Sequence, residues 1–166
     1  MRKLDKFCIN SLDEMSTEYS RKEKLIMTNE INKAIVRRFW KAYEANDQAT
    51  LKEVLSPDLV AQSPNTPDQQ NREMHLQGIS RFNAAFTDRH FTIEELIAEG
   101  DLVATRTTLR GIHTGDFQGL PPTGKQLVAT GLTLERIKDG KIVERWFSFE
   151  VARVMQALGY ISPSQA

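Results

Sequence analysis

Residues 127–149 read LVATGLTLERIKDGKIVERWFSF, two runs rich in apolar and β-branched residues around Asp139-Gly140. Asp-Gly between two such runs is the strongest short-range signal for a β-hairpin with a two-residue turn, because both turn positions need a positive φ. A second pair of runs, residues 91–98 and 102–112, lies on either side of Glu99-Gly100-Asp101, which also has turn chemistry. The second half of the chain is therefore predicted to form a four-stranded antiparallel sheet.

The first half of the chain has the helical period of 3.6 residues instead. Apolar residues recur every three or four positions over residues 29–45, which places them on one face of a helix. Asn46-Asp47 can cap a second, shorter helix that ends before Pro57. Leu59-Val60 then reads as a short strand, so a helical hairpin and one strand are predicted in this part of the chain.

A loop, a third helix and a C-terminal helix complete the predicted pattern. Residues 63–72 include two prolines and mostly polar side chains, which favour a loop, and this loop can act as a lid. Phe82 and Phe86 share the apolar face of the predicted third helix. Residues 151–158 carry a helical apolar stripe, and Gly159 is expected to end that helix in a left-handed conformation.

Helices followed by an antiparallel sheet indicate an α+β fold in which three N-terminal helices cover one face of the sheet. Long twisted strands curl around the helices, and a cone of this shape is not filled near its open end. We therefore expect a small-molecule pocket there, lined by aromatic side chains of the helices. The candidates are Trp40, Tyr43, Phe82 and Phe86, each of which can equally be an ordinary core residue.

The composition of the 166 residues fits one domain that needs no disulfide or structural metal. Lys plus Arg and Asp plus Glu number 22 each, so no net field attracts nucleic acid or an anionic membrane. Cys8 is the only cysteine, which excludes an internal disulfide and any CxxC metal spacing. We expect a cytoplasmic protein with no metal and no nucleic-acid or membrane partner.

The two ends of the chain are predicted to lie outside the folded domain. Residues 1–27 form a charged leader whose apolar run, residues 24–27, is too short for a signal peptide or a membrane span. Either Met27 is the true start of translation or the leader is a flexible tail. The domain is expected over residues 28–160, followed by a tail over residues 161–166.

Residues 111–125 read GIHTGDFQGLPPTGK. This ordered pattern resembles GxHxGxFxGxPPTGK, the signature of the SnoaL-like polyketide and ester cyclases. Residues 135–146, ERIKDGKIVERW, and residues 156–159, QALG, resemble later blocks of the same family. The resemblance covers roughly residues 29–160 and implies a nuclear transport factor 2-like cone, usually a homodimer through the outer face of its sheet. It also implies ring closure by intramolecular aldol condensation without a metal or organic cofactor.

The residues that perform this chemistry in the family are largely replaced in this chain. The cyclases place their acid/base Asp at the position of Phe147, and their His on the preceding strand aligns with Thr133. A polar Asn-His pair on the first strand falls on Ala61 and Gln62, of which only Gln62 can form side-chain hydrogen bonds. The resemblance thus implies a ligand site that includes Gln62, Thr133 and Phe147.

His113 and Glu150 are the predicted substitutes for the lost catalytic groups. His113 lies in the signature motif and can exchange a proton near neutral pH, or it can anchor the loop of residues 111–124. Glu150 follows the last strand and can act as a displaced general base, or it can favour the dipole of the final helix. Each residue therefore has one catalytic and one structural interpretation.

Arg145 shares the face of Phe147 because side chains alternate along a strand. It can bind an anionic ligand or an enolate oxygen if that face lines the pocket, or form a solvent-facing ion pair if it does not. Arg106, Thr108 and Arg110 also share one face of a strand, and Glu135 lies on a neighbouring strand. Together they suggest a polar network resembling that of the limonene epoxide hydrolases, without the matching Asp pair.

The sequence favours a cofactor-free acid/base enzyme that acts on a small, largely apolar carbonyl or ester compound. One alternative is a non-catalytic protein that binds a hydrophobic small molecule, which Phe147 favours because phenylalanine cannot move a proton. The other alternative is a dimeric interaction module whose cavity is closed by side chains.

Overall fold

The computed structural model describes residues 4–66 and 68–162, with side chains from residue 17 onward. The first three residues of the predicted leader, Pro67 of the predicted loop and residues 163–166 of the predicted tail lie outside the described residues. The boundaries of leader, domain and tail stay predictions.

Within the described residues the chain forms four helices and five strands. The helices are α1 (Leu4–Ala45), α2 (Gln48–Val54), α3 (Arg72–Ala85) and α4 (Val151–Leu158). The strands are β1 (Leu55–Gln62), β2 (Phe86–Glu99), β3 (Leu102–His113), β4 (Gln126–Lys138) and β5 (Lys141–Phe149). Over this part of the chain, no helix is both long and apolar enough to cross a membrane.

The strands form one curved, unclosed sheet in the order β1-β5-β4-β3-β2. The four predicted strands are antiparallel neighbours, as expected, and β1 adds a fifth that runs parallel to β5. The predicted α+β class is confirmed.

Two hairpin turns set the register of the sheet. Asp139 and Gly140 have φ values of 50° and 73°, the positive values that a tight turn between β4 and β5 requires. Gly100, with φ of 60°, performs the same role between β2 and β3. Because register follows from turn geometry, these turns place Glu135 of β4 directly opposite Arg145 of β5.

Three element boundaries differ from the prediction. Helix α1 begins at Leu4 rather than residue 29, since residues 4–28 contain neither Gly nor Pro to interrupt it. Strand β1 includes Pro57, which is tolerated because β1 is an edge strand. Phe86 does not lie on the third helix: it begins β2, where it pairs with His113.

The helices cover the inner face of the sheet. Odd-numbered residues of β3 from Val103 to His113 are buried, whereas its even-numbered residues are half-buried or exposed. One core cluster joins α1, α2, α3 and β1 to Val103 and Ile142 of the sheet. A second cluster lies where α4 covers β4, around Leu127 and Leu158. The inner face between these two clusters carries the polar side chains described next.

Candidate functional site

An ion pair lies inside the cone, between β4 and β5. Glu135 and Arg145 face each other across the two strands, so both side chains project from the inner face. Nε of Arg145 lies 3.5 Å from Oε1 of Glu135, and the side chains are 2% and 0% exposed, respectively. Charged side chains are almost never buried so completely unless they are paired. Arg145 is therefore an interior residue and does not form a solvent-facing ion pair.

Aromatic rings surround the Arg145 guanidinium. The ring centroids lie 4.1, 5.0 and 5.7 Å from its Cζ for Phe39, Trp40 and Phe147. The negative face of an aromatic ring attracts a cation, and guanidinium is weakly hydrated, so this environment tolerates a buried arginine. The rings also screen the ion pair from solvent, which strengthens the interaction of its charges with any group beside them.

Several buried polar atoms around the ion pair have no hydrogen-bond partner among the described residues. They are the hydroxyls of Thr105 and Thr133, Nε1 of Trp40, Nε of Arg145 and both carboxylate oxygens of Glu135; the Thr107 hydroxyl is also unpartnered, further along the inner face opposite Gly131. An unpaired buried polar atom costs about 1–3 kcal/mol, so such atoms are rare in folded proteins. This concentration of donors and acceptors gives the inner face hydrogen-bonding groups that water or a bound molecule can satisfy.

Glu135 has the electrostatic environment of a proton acceptor. Burial raises the pKa of its carboxyl group above the ordinary value of 4.5, and Arg145 opposes that rise. The hydroxyls of Thr133 and Thr105 also oppose it, although neither forms a hydrogen bond of normal geometry with the carboxylate. A carboxylate whose pKa is raised by burial is a better base toward a carbon acid at neutral pH.

His75 of α3 lies on the other side of Arg145. Its Nδ1 is 3.2 Å from Oε1 of Gln70, and its Nε2 is 3.5 Å from Nη1 of Arg145. Its ring centroid is 5.3 Å from that of Phe147. Burial, followed by the charge of Arg145, lowers the pKa of His75 to about 3. This histidine is therefore neutral at physiological pH.

The predicted aromatic wall is assembled within the core clusters. The rings of Trp40 and Tyr43 stack at 5.7 Å, and Phe82 lies 6.2 Å from Tyr43. Phe86 lies in the second cluster, 4.8 Å from Phe82. These rings pack on one another, as core residues do, and only Trp40 also contacts the Arg145 guanidinium among these four.

An open groove of about 480 Å³ lies outside the cone, between α2 and α3. Lys52, Leu76 and Arg81 are among its lining residues, and the ion pair is not. The pocket predicted beneath the helices stays a prediction.

His113 lies at the end of β3 and is fully buried. Its Nδ1 is 3.1 Å from the Thr123 hydroxyl, and its ring is 5.2 Å from that of Phe86. Its backbone N–H donates to Lys125 at 3.0 Å, and its carbonyl accepts from Gly124 at 2.9 Å. Four contacts thus connect His113 to the loop of residues 111–124 and its surroundings. This geometry is the one expected if His113 anchors that loop.

Glu150 lies at the N-terminus of α4, with a side chain 48% exposed and 3.8 Å from Arg153. It follows Phe149, which pairs with Gly131, and Gly131 pairs with Thr107. His113 lies six residues beyond Thr107, about 20 Å along the strand at ~3.3 Å per residue. The structure does not bring the two predicted catalytic residues together.

The remaining predicted residues divide between the two faces of the sheet. Thr133 is opposite Phe147, and both lie on the inner face with the ion pair. Gln62 is half-buried and opposite Trp146, and alternation places it on the other face from Ala61, which is opposite Arg145. Thr133, Arg145 and Phe147 are thus brought together, and Gln62 is not.

Glu135, His75 and Thr105 were not predicted as site residues. The predicted polar network placed Glu135 with Arg106. That pairing is wrong, because Arg106 lies on the outer face and pairs with Glu95 at 2.9 Å. A usable signal was present in β4, where polar Thr133 and Glu135 alternate with apolar residues. It was missed because a period of two does not tell which face is inside.

No group of three or more His, Cys, Asp or Glu in the described part of the chain is arranged to hold a metal ion. The chemistry that the site offers comes from a carboxylate, a guanidinium and hydroxyl groups. These groups can accept a proton from carbon and stabilise negative charge on oxygen.

Comparison with known proteins agrees with this architecture. Among solved structures, IdmH of Streptomyces antibioticus, a candidate polyketide cyclase, is 32% identical with a TM-score of 0.71, over 77% of this chain and 98% of IdmH. AclR of Streptomyces galilaeus, a candidate hydroxylase, is 26% identical with a TM-score of 0.75, over 82% of this chain and 86% of AclR. No curated protein matches the chain at a significant level.

A more distant likeness shows the fold alone. An LEH-like epoxide hydrolase of M. tuberculosis is 18% identical with a TM-score of 0.63, over 78% of this chain and 90% of that protein. The predicted nuclear transport factor 2-like fold is confirmed. The family model of the SnoaL-like polyketide cyclases matches residues 33–158, most of the chain. The chain therefore belongs to the SnoaL-like polyketide cyclase family.

Proposed function

We propose that the chain is an enzyme that performs cofactor-free acid/base catalysis on a small, largely apolar carbonyl or ester compound. The observation that carries the proposal is the buried carboxylate of Glu135, paired with Arg145 and surrounded by unpartnered hydroxyls. Membership of a family of polyketide cyclases supports a carbonyl substrate. The aromatic rings around the ion pair favour a substrate that is largely apolar.

Proton transfer from carbon is the step that this site can perform. The Glu135 carboxylate takes a proton from the carbon next to a carbonyl, the C–H bond breaks, and its electrons form an enolate. Arg145 and the threonine hydroxyls stabilise the charge that develops on the enolate oxygen. When the enolate carbon attacks a second carbonyl, the new alkoxide recovers the proton from Glu135, so the carboxylate is regenerated.

Because position 147 carries a phenylalanine, which cannot move a proton, Glu135 is a better candidate for the general base than the residue at position 147. We propose that Phe147 replaces the acid/base Asp of the family and that the proton acceptor has moved to a neighbouring strand. Thr133 and Phe147 are opposite each other, and Glu135 lies two residues beyond Thr133 on the same face. The carboxylate can therefore reach the same interior region from β4 instead of β5.

Exchange of α-protons for deuterium tests the proposal directly. Wild-type protein is incubated in D2O with a panel of aryl ketones and β-keto esters, and exchange above the buffer rate is followed by NMR. We expect Glu135→Gln to lower the rate by about 10²-fold or more, the usual contribution of a general base. Glu144→Gln changes a half-buried acid on β5 that pairs with Arg136; it is the matched control and should leave the rate unchanged.

The catalytic roles predicted for His113 and Glu150 are tested in the same assay. If either residue moves a proton, His113→Ala or Glu150→Gln lowers exchange as strongly as Glu135→Gln does. Exchange that survives both substitutions but not the change at Glu135 would place the base on β4. The opposite result, a wild-type rate in Glu135→Gln, would remove Glu135 from the mechanism.

A non-catalytic binding protein is the second candidate function. The observation that favours it is the half-buried Phe147 ring, which lies 6.4 Å from Phe149 and faces the site without any acid/base group of its own. If the protein only binds its ligand, adding an apolar ligand should quench or shift the fluorescence of Trp40, and α-proton exchange should not exceed the buffer rate. Exchange in wild-type protein rejects this alternative.

We also propose a homodimer through the outer face of the sheet. Val128, Leu132 and Leu134 of β4 are 46%, 60% and 36% exposed there, and Ile97 of β2 is 66% exposed. Contiguous exposed apolar side chains on a sheet favour burial against a second copy. Sedimentation should show a dimer for wild-type protein and a monomer for Leu132→Glu; a monomeric wild type would reject the proposal. A cytoplasmic location also remains proposed.

A further inference from the structure

The chain of contacts behind the ion pair begins in the loop between β1 and α3. Gln70 is joined to Ala61 by two backbone hydrogen bonds, of 2.9 and 2.8 Å. Ala61 is in turn the partner of Arg145 in the pairing of β1 with β5. The end of the loop is thereby held beside the strand that carries the buried guanidinium.

Gln70 and Arg145 are also connected through the side chain of His75. Oε1 of Gln70 is 3.2 Å from Nδ1 of His75, and Nε2 of His75 is 3.5 Å from Nη1 of Arg145. His75 is 5% exposed, so water does not compete for either nitrogen. A hydrogen-bonded path therefore leads from the loop, through one histidine ring, to the ion pair.

The charge of Arg145 selects one tautomer of His75. A guanidinium has only donors, so Nε2 must offer its lone pair, and the proton of the neutral ring must lie on Nδ1. Nδ1–H then donates to the amide oxygen of Gln70. This conclusion does not depend on how the Gln70 amide is oriented, because a ring with two unprotonated nitrogens would be an anion.

Protonation of His75 would disrupt this arrangement. A proton on Nε2 would face the Arg145 cation, and burial together with that cation lowers the pKa of His75 to about 3. Among the described residues, the titratable groups around the ion pair are Glu135, Tyr43 and His75, and burial raises the pKa of Tyr43 to about 12, so it stays neutral. Neither His75 nor Tyr43 therefore carries a charge at neutral pH that competes with Glu135 for Arg145.

We propose that His75 is a positioning residue: it couples the loop ending at Gln70 to Arg145 and so holds Nε of Arg145 toward Glu135. The two backbone hydrogen bonds to Ala61 place the Gln70 acceptor, Gln70 fixes the His75 ring, and the ring holds one edge of the guanidinium. The other edge is then directed at the carboxylate. This inference rests on the proposed function for its catalytic meaning, but the coupling itself is a property of the protein without substrate.

Titration of Glu135 tests the coupling without substrate. In protein carrying 13C-labelled glutamate, we expect the pKa of the Glu135 carboxyl to rise by about 0.5 or more in His75→Leu and in Gln70→Ala, because Arg145 loses its support. His75→Gln keeps an acceptor near the position of Nε2 and should hold the pKa close to the wild-type value. Gln77→Ala, an exposed change on α3, is the matched control.

The tautomer is measured separately through 15N shifts of the His75 ring. Protonated Nδ1 with bare Nε2, persisting from pH 8 to about pH 4, is the expected result. A ring protonated on Nε2 overturns the proposal, and so does an unchanged Glu135 pKa in Gln70→Ala. If His75→Leu fails to fold, Gln70→Ala and His75→Gln still decide the outcome.

Kinetics distinguish failure of this inference from failure of the proposed function. If exchange is observed, His75→Leu should lower kcat several-fold with little change in KM, and His75→Gln should restore most of it. If wild-type protein catalyses no exchange, the proposed function fails while the titration still reports on the coupling. Equal losses of kcat in His75→Leu and His75→Gln would overturn the positioning role.

Discussion

Separating Glu135 from Arg145 is the perturbation that tests the site most directly. The two side chains are 0% and 2% exposed and lie 3.5 Å apart, so each is the principal compensation for the charge of the other. Removing one partner of a buried pair typically costs about 3–5 kcal/mol, because an uncompensated charge stays behind. For a chain of this length, that loss lowers Tm by roughly 6–20 °C.

The two single variants differ in how the remaining charge can be relieved. Glu135→Gln leaves a guanidinium, which does not deprotonate in proteins, so no change of protonation can relieve its remaining charge. Arg145→Met leaves a carboxylate, which can take up a proton. Loss of Arg145 removes an interaction that holds the Glu135 pKa down, so that pKa rises further.

The sign of the pH dependence follows from that raised pKa. A carboxyl whose folded pKa exceeds its unfolded pKa binds more protons in the folded state, so stability falls as pH rises between the two values. The defect of Arg145→Met relative to wild type should therefore shrink as pH falls through the range between the wild-type pKa of Glu135 and its higher pKa in the variant, by up to ~1.4 kcal/mol per pH unit. The stability of Glu135→Gln itself should show no such dependence, because this variant has no titratable carboxyl at position 135.

Urea unfolding followed by circular dichroism measures the free energy of unfolding of four proteins: wild type, Glu135→Gln, Arg145→Met and the double variant. The double variant Glu135→Gln/Arg145→Met should recover much of the loss, because neutral replacement of both partners is often neutral or stabilising. Arg136→Met is the control, since Arg136 pairs with Asp101 and Glu144 at the surface and should cost less than about 1 kcal/mol. If Arg145→Met costs no more than Arg136→Met, the interior is wet and the reasoning about a desolvated site is refuted.

Three further predictions concern single positions. Phe147→Asp should be no less stable than the neutral control Phe147→Asn at pH 7, since the Arg145 guanidinium lies 5.7 Å from the ring; a deficit above about 1 kcal/mol in urea unfolding would contradict this. Gly115→Ala should destabilise by about 1–3 kcal/mol because its Cβ would lie 2.3 Å from a backbone oxygen, whereas Gly78→Ala, with open space, should stabilise by about 0.5–1 kcal/mol; equal effects in thermal unfolding would refute the difference. The folded pKa of His75, about 3, lies below its unfolded value of 6.5, so stability is lost as pH falls from 6.5 toward 3, by at most ~1.4 kcal/mol per unit, and His75→Gln should flatten that part of the stability curve.

Much of the fold was predictable because its signals are local. Asp139-Gly140 adopts the two positive φ values that its residue types favour, and Gly159 ends α4 with φ of 84°. Phe86 was misplaced because an apolar residue fits the stripe of α3 as well as the start of β2. Its pairing with His113, far along the chain, decides between the two.

The candidate site was less predictable because it depends on which face of each strand turns inward. Arg145 was correctly grouped with Phe147, but alternation alone left it equally able to face solvent. Glu135 was assigned a partner on the outer face, since a strand read in isolation has no inside. His75 had no signal at all, because its partners Gln70 and Arg145 are brought to it only by the packing of α3 on the sheet.

The amino-acid sequence by itself determined the order of helices and strands, the turns and the family, because each of these follows from short-range chemistry or from a motif in one continuous segment. Only the tertiary structure decided that a carboxylate, a guanidinium and the hydroxyls of two threonines meet in a desolvated interior. The physical reason is that burial and pairing are properties of residues distant in the chain. A charge is shifted in pKa, or stabilised, by whatever the fold places beside it.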